Sequence, residues 1–138
     1  MKTVGDLIRN EADGSLSFGD YTLGSKAKVS DFDHNGDLYK VKTFNEITKL
    51  ERNENFVYES VPGSAVFGFA AGDDEVVFSV TGAGNIQITL ELEPDREYDV
   101  AVAGSSLGRI RTNLGGKLVF SVEAGADEAV PVKVTKVN

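Results

Sequence analysis

The segment from Asp31 to Asp37 has the spacing of oxygen ligands that a calcium loop requires. Its oxygen-bearing side chains alternate along the chain: Asp31, Asp33, Asn35 and Asp37. Calcium prefers several such oxygens, and a glycine such as Gly36 lets a loop turn sharply around the ion. The pattern fits the first half of an EF-hand loop, but the twelfth position is Lys42 instead of the closing glutamate. A calcium site here would need a further acid from elsewhere in the chain.

The same segment also predicts a β-hairpin, with Asn35-Gly36 as the central residues of a type I′ turn. Both central residues of that turn have positive φ, which Asn and Gly tolerate. The turn fixes which residues lie opposite each other: His34 and Asp37, Asp33 and Leu38, Phe32 and Tyr39, Asp31 and Lys40. Aromatic and opposite-charge pairs stabilise such a ladder. The hairpin is therefore the preferred interpretation, with calcium binding as the alternative.

Two arginines form the candidate ligand-binding site. Arg109 and Arg111 are two residues apart on a predicted strand, so both side chains leave the same face and could clamp a carboxylate or phosphate. Alternatively, they pair with acids on a neighbouring strand, such as Glu91 or Glu93. Pairing with acids is the preferred interpretation.

The sequence does not predict a catalytic centre. His34 is the only histidine, expected on the surface, and no serine is placed for this imidazole to activate. The chain has no cysteine, and its Asp and Glu residues, 22 in number, cluster at predicted turns. Hydrolysis of a glycoside needs two carboxyls at a set separation in a cleft. We therefore expect no enzymatic activity, and no cofactor apart from the calcium considered above.

These residues must be positioned by β-strands, because apolar and polar residues alternate along most of the chain. The clearest case is Ile86 to Glu93, where isoleucines and leucines alternate with polar residues. The alternation recurs in Phe56–Tyr58, Val76–Val80, Tyr98–Val102, Leu118–Val122 and Val130–Val134. Turns rich in glycine and aspartate separate these segments. Such spacing is typical of antiparallel sandwiches and not of βαβ units.

The predicted fold is all-β, antiparallel and sandwich-like, with little helix. The segment from Thr3 to Asn10 fits one helical turn, and the segment from Asn45 to Arg52 fits either a short helix or a strand. Val61-Pro62-Gly63 is the best internal boundary. It separates an N-terminal lobe, residues 1–62, from an immunoglobulin-like C-terminal lobe, residues 63–138. Lobes of this size bury little surface alone, so we expect them to pack together or to share strands.

Composition limits the compartment and the partners. The chain has 138 residues, the length of one ordinary domain, and a formal net charge of −8. Such a charge opposes nucleic acid and anionic membranes as partners, because phosphate recognition requires concentrated Lys and Arg. No segment has the apolar run of a signal peptide or a membrane span. We therefore expect a cytoplasmic location, with export by another route left open.

Part of the chain, Leu92 to Val122, resembles the immunoglobulin-like or fibronectin-like modules appended to bacterial polysaccharide-degrading enzymes. The matching residues are Pro94, Tyr98, Val100, Val102, Gly104, Gly108, Thr112, Gly116, Leu118, Phe120 and Val122. Those modules are generally spacers or accessory domains. The resemblance therefore implies an architecture and an accessory role, without catalytic residues.

The whole chain is similar to a group of short bacterial proteins that are sometimes labelled endosialidase. The similarity is clearest in Ala12–Tyr21, Gly36–Phe44, Ile47–Asn53 and Phe56–Gly63. Sialidases resemble one another through three arginines on the sialate carboxylate, an acid/base residue and repeated Asp-box turns. This chain has five arginines in all, no Asp box and too few residues for a propeller. Sialidase activity is therefore not implied.

The leading functional prediction is a non-catalytic interaction or structural module. Its partner would be another protein or a second copy of the chain, because exposed edge strands invite pairing. The alternative is a carbohydrate-binding or accessory module that partners a glycan-active enzyme. A small glycan-active enzyme is the third, least favoured prediction.

Overall fold

The computed structural model describes residues 2–137, which form thirteen β-strands and no helix. The strands are β1 Ile8–Asn10, β2 Leu16–Phe18, β3 Ala27–His34, β4 Asp37–Thr43, β5 Thr48–Arg52, β6 Asn55–Val61, β7 Ser64–Ala71, β8 Glu75–Gly82, β9 Gly84–Glu91, β10 Glu97–Val102, β11 Ser105–Arg111, β12 Lys117–Ala124 and β13 Val130–Lys136. Accordingly, these residues contain no helix that could span a membrane. The all-β prediction is confirmed.

The strands form two antiparallel sheets that pack face to face without closing into a barrel. The seven-stranded sheet has the order β1-β2-β7-β8-β13-β10-β11, and the six-stranded sheet has the order β12-β9-β6-β5-β4-β3. Neighbouring strands in each sheet pair antiparallel throughout, as the short turns predict. The sandwich-like prediction is therefore confirmed.

The core lies between the inner faces of the two sheets. Ile86, Ile88 and Leu90 on β9 are at most 1% exposed, whereas Gln87 between them and Glu91 after them are exposed. Four of the other five predicted alternating segments likewise bury every second side chain, with small departures at strand ends. The exception is Phe56–Tyr58, where a β-bulge places Phe56 on the outer face beside Glu51 while Tyr58 is buried. The two-residue period therefore identified the buried face correctly, because side chains alternate between the faces of a strand.

A cluster of hydroxyl groups fixes the corner at which β6 leads into β7. Ser64 Oγ hydrogen-bonds both the hydroxyl of Tyr58 at 2.8 Å and Oγ of Ser60 at 2.6 Å. Thr48 Oγ1 donates to the Ser64 carbonyl at 2.8 Å and contacts Thr43 Oγ1 at 2.7 Å. All five residues are buried, and burial raises the pKa of Tyr58 to about 12. The cluster satisfies polar groups that would otherwise destabilise the core.

Glycine is required on both sides of this corner. A Cβ at Gly63 would lie 2.0 Å from the carbonyl oxygen of Phe44, and a Cβ at Gly19 would lie 2.4 Å from that of Ser64. Both contacts are with backbone, which cannot move aside as a flexible side chain can. The close approach of these segments therefore depends on the missing side chain.

The corner also lies at the predicted boundary between residues 1–62 and 63–138. Strands β1 and β2 from the first range extend the seven-stranded sheet beside β7, and β9 and β12 from the second range extend the six-stranded sheet beside β6. The main hydrophobic cluster draws on both ranges. The two ranges therefore share strands in both sheets.

A helical turn was predicted for one segment and a short helix was one of two alternatives for another, and neither segment is helical. The predicted helical turn from Thr3 to Asn10 is wrong, because Asp6 and Leu7 have φ of 60° and 70° and β1 begins at Ile8. Left-handed residues cannot continue a right-handed helix. In the segment from Asn45 to Arg52 the strand alternative forms, as β5 pairs with both β4 and β6.

Candidate binding site at the hairpin end

Three depressions surround the end of the six-stranded sheet where the β3–β4 and β5–β6 hairpins turn, one on its outer face and two on its inner face, and together they are called the hairpin-end cleft. Tyr39 lines all three, and Arg52 lines two. The largest, about 680 Å³, is lined by Ser30, Asp31, Leu38, Tyr39, Lys40, Glu51, Asn53 and Glu54. Concave surfaces with a few fixed polar groups are the usual form of a binding site.

The β3–β4 hairpin has the predicted turn. Asn35 and Gly36 have φ of 53° and 86°, as a type I′ turn requires. Three of the four predicted pairs are formed: His34 with Asp37, Asp33 with Leu38 and Phe32 with Tyr39. The turn residues therefore set the register near the cleft, as expected.

The fourth predicted pair, Asp31 with Lys40, does not form as a regular one-to-one pair. A β-bulge places both Ser30 and Asp31 opposite Lys40, and Asp31 has a φ of 57°. The extra residue lets Val29 and Phe32, three positions apart, both pack against the core. Ordinary alternation would have turned one of them to solvent. The bulge also places Asp31 in the lining of the cleft.

Asn53 joins the two hairpins. Its Oδ1 accepts a hydrogen bond from the Leu38 amide at 2.9 Å, and its Nδ2 donates to Asp37 Oδ1 at 2.9 Å. Asn53 and Glu54 form the β5–β6 turn with φ of 49° and 70°. The two turns are therefore held in one arrangement by a single side chain.

Backbone conformations of higher energy are concentrated around the cleft. Eight non-glycine residues between 2 and 137 have left-handed φ. Four of them line the hairpin-end cleft: Asp31, Asn35, Asn53 and Glu54. Strained residues of this kind persist where the surrounding structure holds them, and they cluster at functional sites.

His34 is buried at the inner side of the cleft, so the expectation of an exposed side chain is wrong. Nδ1 contacts Asn10 Oδ1, and Nε2 lies 3.2 Å from Asn35 Nδ2. The ring also packs edge-on against Tyr39, with 5.5 Å between centroids. Nε2 therefore faces a side-chain amide nitrogen and Nδ1 a side-chain amide oxygen, so both ring nitrogens have an amide neighbour.

The four candidate calcium ligands have other partners or other positions. Asp33 Oδ1 accepts the Gly36 amide at 3.3 Å within the turn, and Asp37 is bonded to Asn53. Asp31 stands in the bulge, and the Asn35 amide contacts His34. Among residues 2–137, no group of three or more His, Cys, Asp or Glu side chains is placed to hold a metal ion. We therefore propose no metal site here.

Arg111 is paired with acids, as the preferred interpretation of the sequence has it, but its partners are not Glu91 or Glu93. Its guanidinium bonds Asp95 Oδ1 at 3.1 Å and Glu97 Oε1 at 2.8 Å. The hydrogen bond to Asp95 raises the pKa of Arg111. Arg109 lies opposite Asp99 in the ladder. The strand order explains the difference, because β11 pairs with β10 and not with β9.

The acids proposed as partners bind lysines instead. Glu91 pairs with Lys117, and Glu93 accepts from Lys136 Nζ at 2.7 Å, which lowers the pKa of Glu93. Arg109 and Arg111 do line one small depression of about 220 Å³, together with Asp95 and Glu97. The carboxylates already present there compete with any added anion. The hairpin-end cleft is therefore the better candidate site.

Arg52 and Asn53 line the cleft without having been predicted as site residues from the sequence. Both fell in or beside the segment with two alternatives, helix and strand. The signal was the pair Asn53-Glu54 between two apolar-alternating strands, since Asn tolerates the φ of a two-residue turn. A less favourable second residue, Glu54 instead of glycine, weakened that signal.

The fold places the chain in the class of all-β proteins built from two packed antiparallel sheets. No known protein family matches the chain, and no curated protein or solved structure is similar to it.

Proposed function

We propose that the protein is a non-catalytic interaction module that binds its partner through the hairpin-end cleft. The carrying observation is that the cleft is preformed: Asn53 bonds both Leu38 and Asp37, so the two turns are already fixed. A rigid surface loses less conformational entropy on binding than a mobile one. The cleft also exposes Arg52, and arginine is among the residues that most often anchor protein contacts. Leu38, which is half exposed, lies on the opposite face of the hairpins from Arg52.

The surroundings of the titratable groups support binding over catalysis. Both nitrogens of His34 face amides, and no carboxylate or hydroxyl from residues 2–137 is bonded to the ring. A general base normally has a third group that orients it and a nucleophile within reach. The carboxylate of Asp37 is occupied by Asn53. These contacts favour a site that recognises a ligand without transforming it.

Partner capture with Arg52→Ala tests the proposal. Arg52 is exposed, so its removal should change the cleft and leave the fold intact. Immobilised protein would be exposed to native extract of the source cells, and bound proteins would be quantified. The expected result is a specific partner that is lost with Arg52→Ala and retained with Arg96→Ala, an exposed control outside the cleft. Equal recovery by both variants, repeated with the purified partner, would contradict the proposal.

A second candidate function is carbohydrate binding at the same cleft. It is favoured by the polar side chains that line the three depressions, Asp37, Arg52, Asn53 and Asn55, and by the aromatic ring of Phe69, which lines two of them. Such groups suit the hydroxyls and the apolar face of a sugar. A glycan array should then give a signal that Asn55→Ala removes. An array without signal would leave the protein-binding proposal as the sole candidate.

A further inference from the structure

The two sheets end in four edge strands, and three of these are protected against pairing. β1 has only three residues. β3 carries the bulge at Ser30 and Asp31, and β11 carries a bulge next to Gly108, whose φ is 97°. Short strands and bulges are the usual means by which proteins prevent edge-to-edge association. The fourth edge, β12, lacks both.

β12 is a regular strand whose outer backbone groups have no partner in the sheet. It pairs with β9 over eight consecutive residues without a bulge. Because Leu92 N donates to Gly116 O at 2.7 Å, every second residue from Gly116 onwards bonds to β9. The residues between them direct N–H and C=O away from β9. In Lys117, the first of these residues, the outward N–H and C=O are both hydrogen-bonded to Asn113.

Three residues of β12 therefore present unpaired backbone donors and acceptors: Val119, Ser121 and Glu123. No backbone hydrogen bond to them is present within residues 2–137. All three are exposed, and Val119 is 44% exposed. An open row of such groups is complementary to one kind of structure, another extended backbone.

The seven-stranded sheet extends beyond the six-stranded sheet on this side. Ile110 on β11 lies opposite Tyr98, so it shares the inner face of its sheet. Leu107 reaches that face at the bulge opposite Val100. Tyr98 and Val100 on β10 are buried, yet Leu107 is 51% exposed and Ile110 is half-buried. The six-stranded sheet thus lacks a strand beneath β11, next to the open edge of β12.

We propose that an extended segment of a partner protein adds to β12 as the seventh strand of that sheet. Its backbone would bond to Val119, Ser121 and Glu123, and every second side chain, being apolar, would cover Leu107 and Ile110. A basic residue on its outer side would face the exposed carboxylate of Glu123, in keeping with the net charge of −8. The segment therefore has alternating apolar residues and a basic residue opposite Glu123.

A second copy of the chain fits this edge less well. If the β12 strands of two copies paired, β11 of each copy would extend over β12 of the other. That space is already filled by β10 and β11 of the other copy, so the two copies would clash. A single strand has no such overhang. The inference rests on the proposed role as an interaction module, but not on the hairpin-end cleft.

The test uses a capped seven-residue peptide, Thr-Val-Lys-Val-Lys-Val-Thr, and two matched controls. One control carries N-methyl groups on the lysines and threonines, and the other carries them on the valines, so that each blocks one edge of the strand. We expect one methylated peptide to bind as the parent does and the other to bind at least tenfold more weakly. Equal weakening by both, or no binding of the parent at about 1 mM, would overturn the proposal.

Variants of the protein locate the site. Ser121→Pro removes an N–H that makes no bond within the sheet, and proline is tolerated at such edge positions. It should weaken the peptide at least tenfold, whereas Ser121→Ala should not. Leu107→Ser should weaken it several-fold without touching the edge. Thermal unfolding would establish that each variant is folded, and undiminished binding by folded Ser121→Pro would overturn the proposal.

The outcomes separate this inference from the proposed function. If the peptide does not bind while Arg52→Ala still abolishes partner capture, the strand-addition site is wrong and the interaction module stands. If the peptide binds and Arg52→Ala still captures every partner, the assignment of partner binding to the hairpin-end cleft is wrong instead. Light scattering without added peptide gives a further outcome. A dimer that Ser121→Pro dissociates would show that a second copy of the chain, and not a partner segment, occupies the β12 edge.

Discussion

At the scale of single residues, the structure depends on polar side chains that the core accommodates only in groups. Ser64 bonds both Tyr58 and Ser60 between the sheets. Each hydroxyl alone would be costly to bury, but the three satisfy one another. The periodicity of the sequence predicted the burial of Tyr58. It could not predict the group, because its members come from different strands.

Ser64→Ala should destabilise the protein by about 1–3 kcal/mol, since it leaves the buried hydroxyls of Tyr58 and Ser60 with one partner fewer. Urea unfolding would measure the loss. Ser121→Ala, which removes an exposed hydroxyl, is the matched control and should change the free energy of unfolding by less than about 0.5 kcal/mol. Equal stabilities of the two variants would show that the cluster does not stabilise the fold.

Tyr58 also predicts a dependence of stability on alkaline pH. Burial raises its pKa from 10.0 to about 12, so the unfolded chain loses this proton first. Stability should be intact below pH 10 and fall between pH 10 and 12, by about 2–3 kcal/mol in total. Tyr58→Phe should remove that part of the slope. The comparison of the two denaturation series between pH 9 and 11.5 tests it, and parallel slopes would contradict it.

At the scale of elements, turn residues and apolar alternation predicted most strands and the β3–β4 turn, but they did not predict the β-bulge. Asn35-Gly36 gave the correct turn and three correct pairs. The bulge at Ser30 and Asp31 was missed because nothing in the residue types marks an extra residue in a strand. Only the packing of both Val29 and Phe32 against the core requires it.

Gly36→Ala tests the turn. A Cβ at Gly36 would meet no atom within 4 Å, so the cost is that of placing alanine at a φ of 86°. We expect about 1–2 kcal/mol of destabilisation. Gly5→Ala is the control, because its Cβ also meets nothing and its φ is not left-handed. It should leave the melting temperature unchanged or slightly raised, and a loss as large as that of Gly36→Ala would contradict the assignment.

At the scale of the whole molecule, the class of fold was predictable and the strand order was not. Composition and period indicate a sandwich, but the position of β13 between β8 and β10 depends on contacts far apart in sequence. The candidate site could not be predicted for the same reason, because it also depends on which strands are neighbours in the sheet. Arg52 and Asn53 meet the β3–β4 hairpin only because β4 and β5 are neighbours.

Residues 1–62 and 63–138 should each fail to fold alone. Strands β1 and β2 would lose β7, and β9 and β12 would be separated from β6. The main hydrophobic cluster would be divided between the two fragments. Amide NMR spectra of each fragment should therefore show narrow dispersion, while an equimolar mixture recovers some native signals. A well-dispersed spectrum from either fragment would show that it is an independent domain.

The central place of β13 has a consequence for synthesis on the ribosome. β13 separates β8 from β10, so these two strands remain without a neighbour on that side until residues 130–136 have emerged. β8 must wait while some fifty residues are added, with an apolar strand exposed meanwhile. The seven-stranded sheet is thus completed late in translation. Nascent chains arrested before β13 should attract chaperones, and chains arrested beyond it should not.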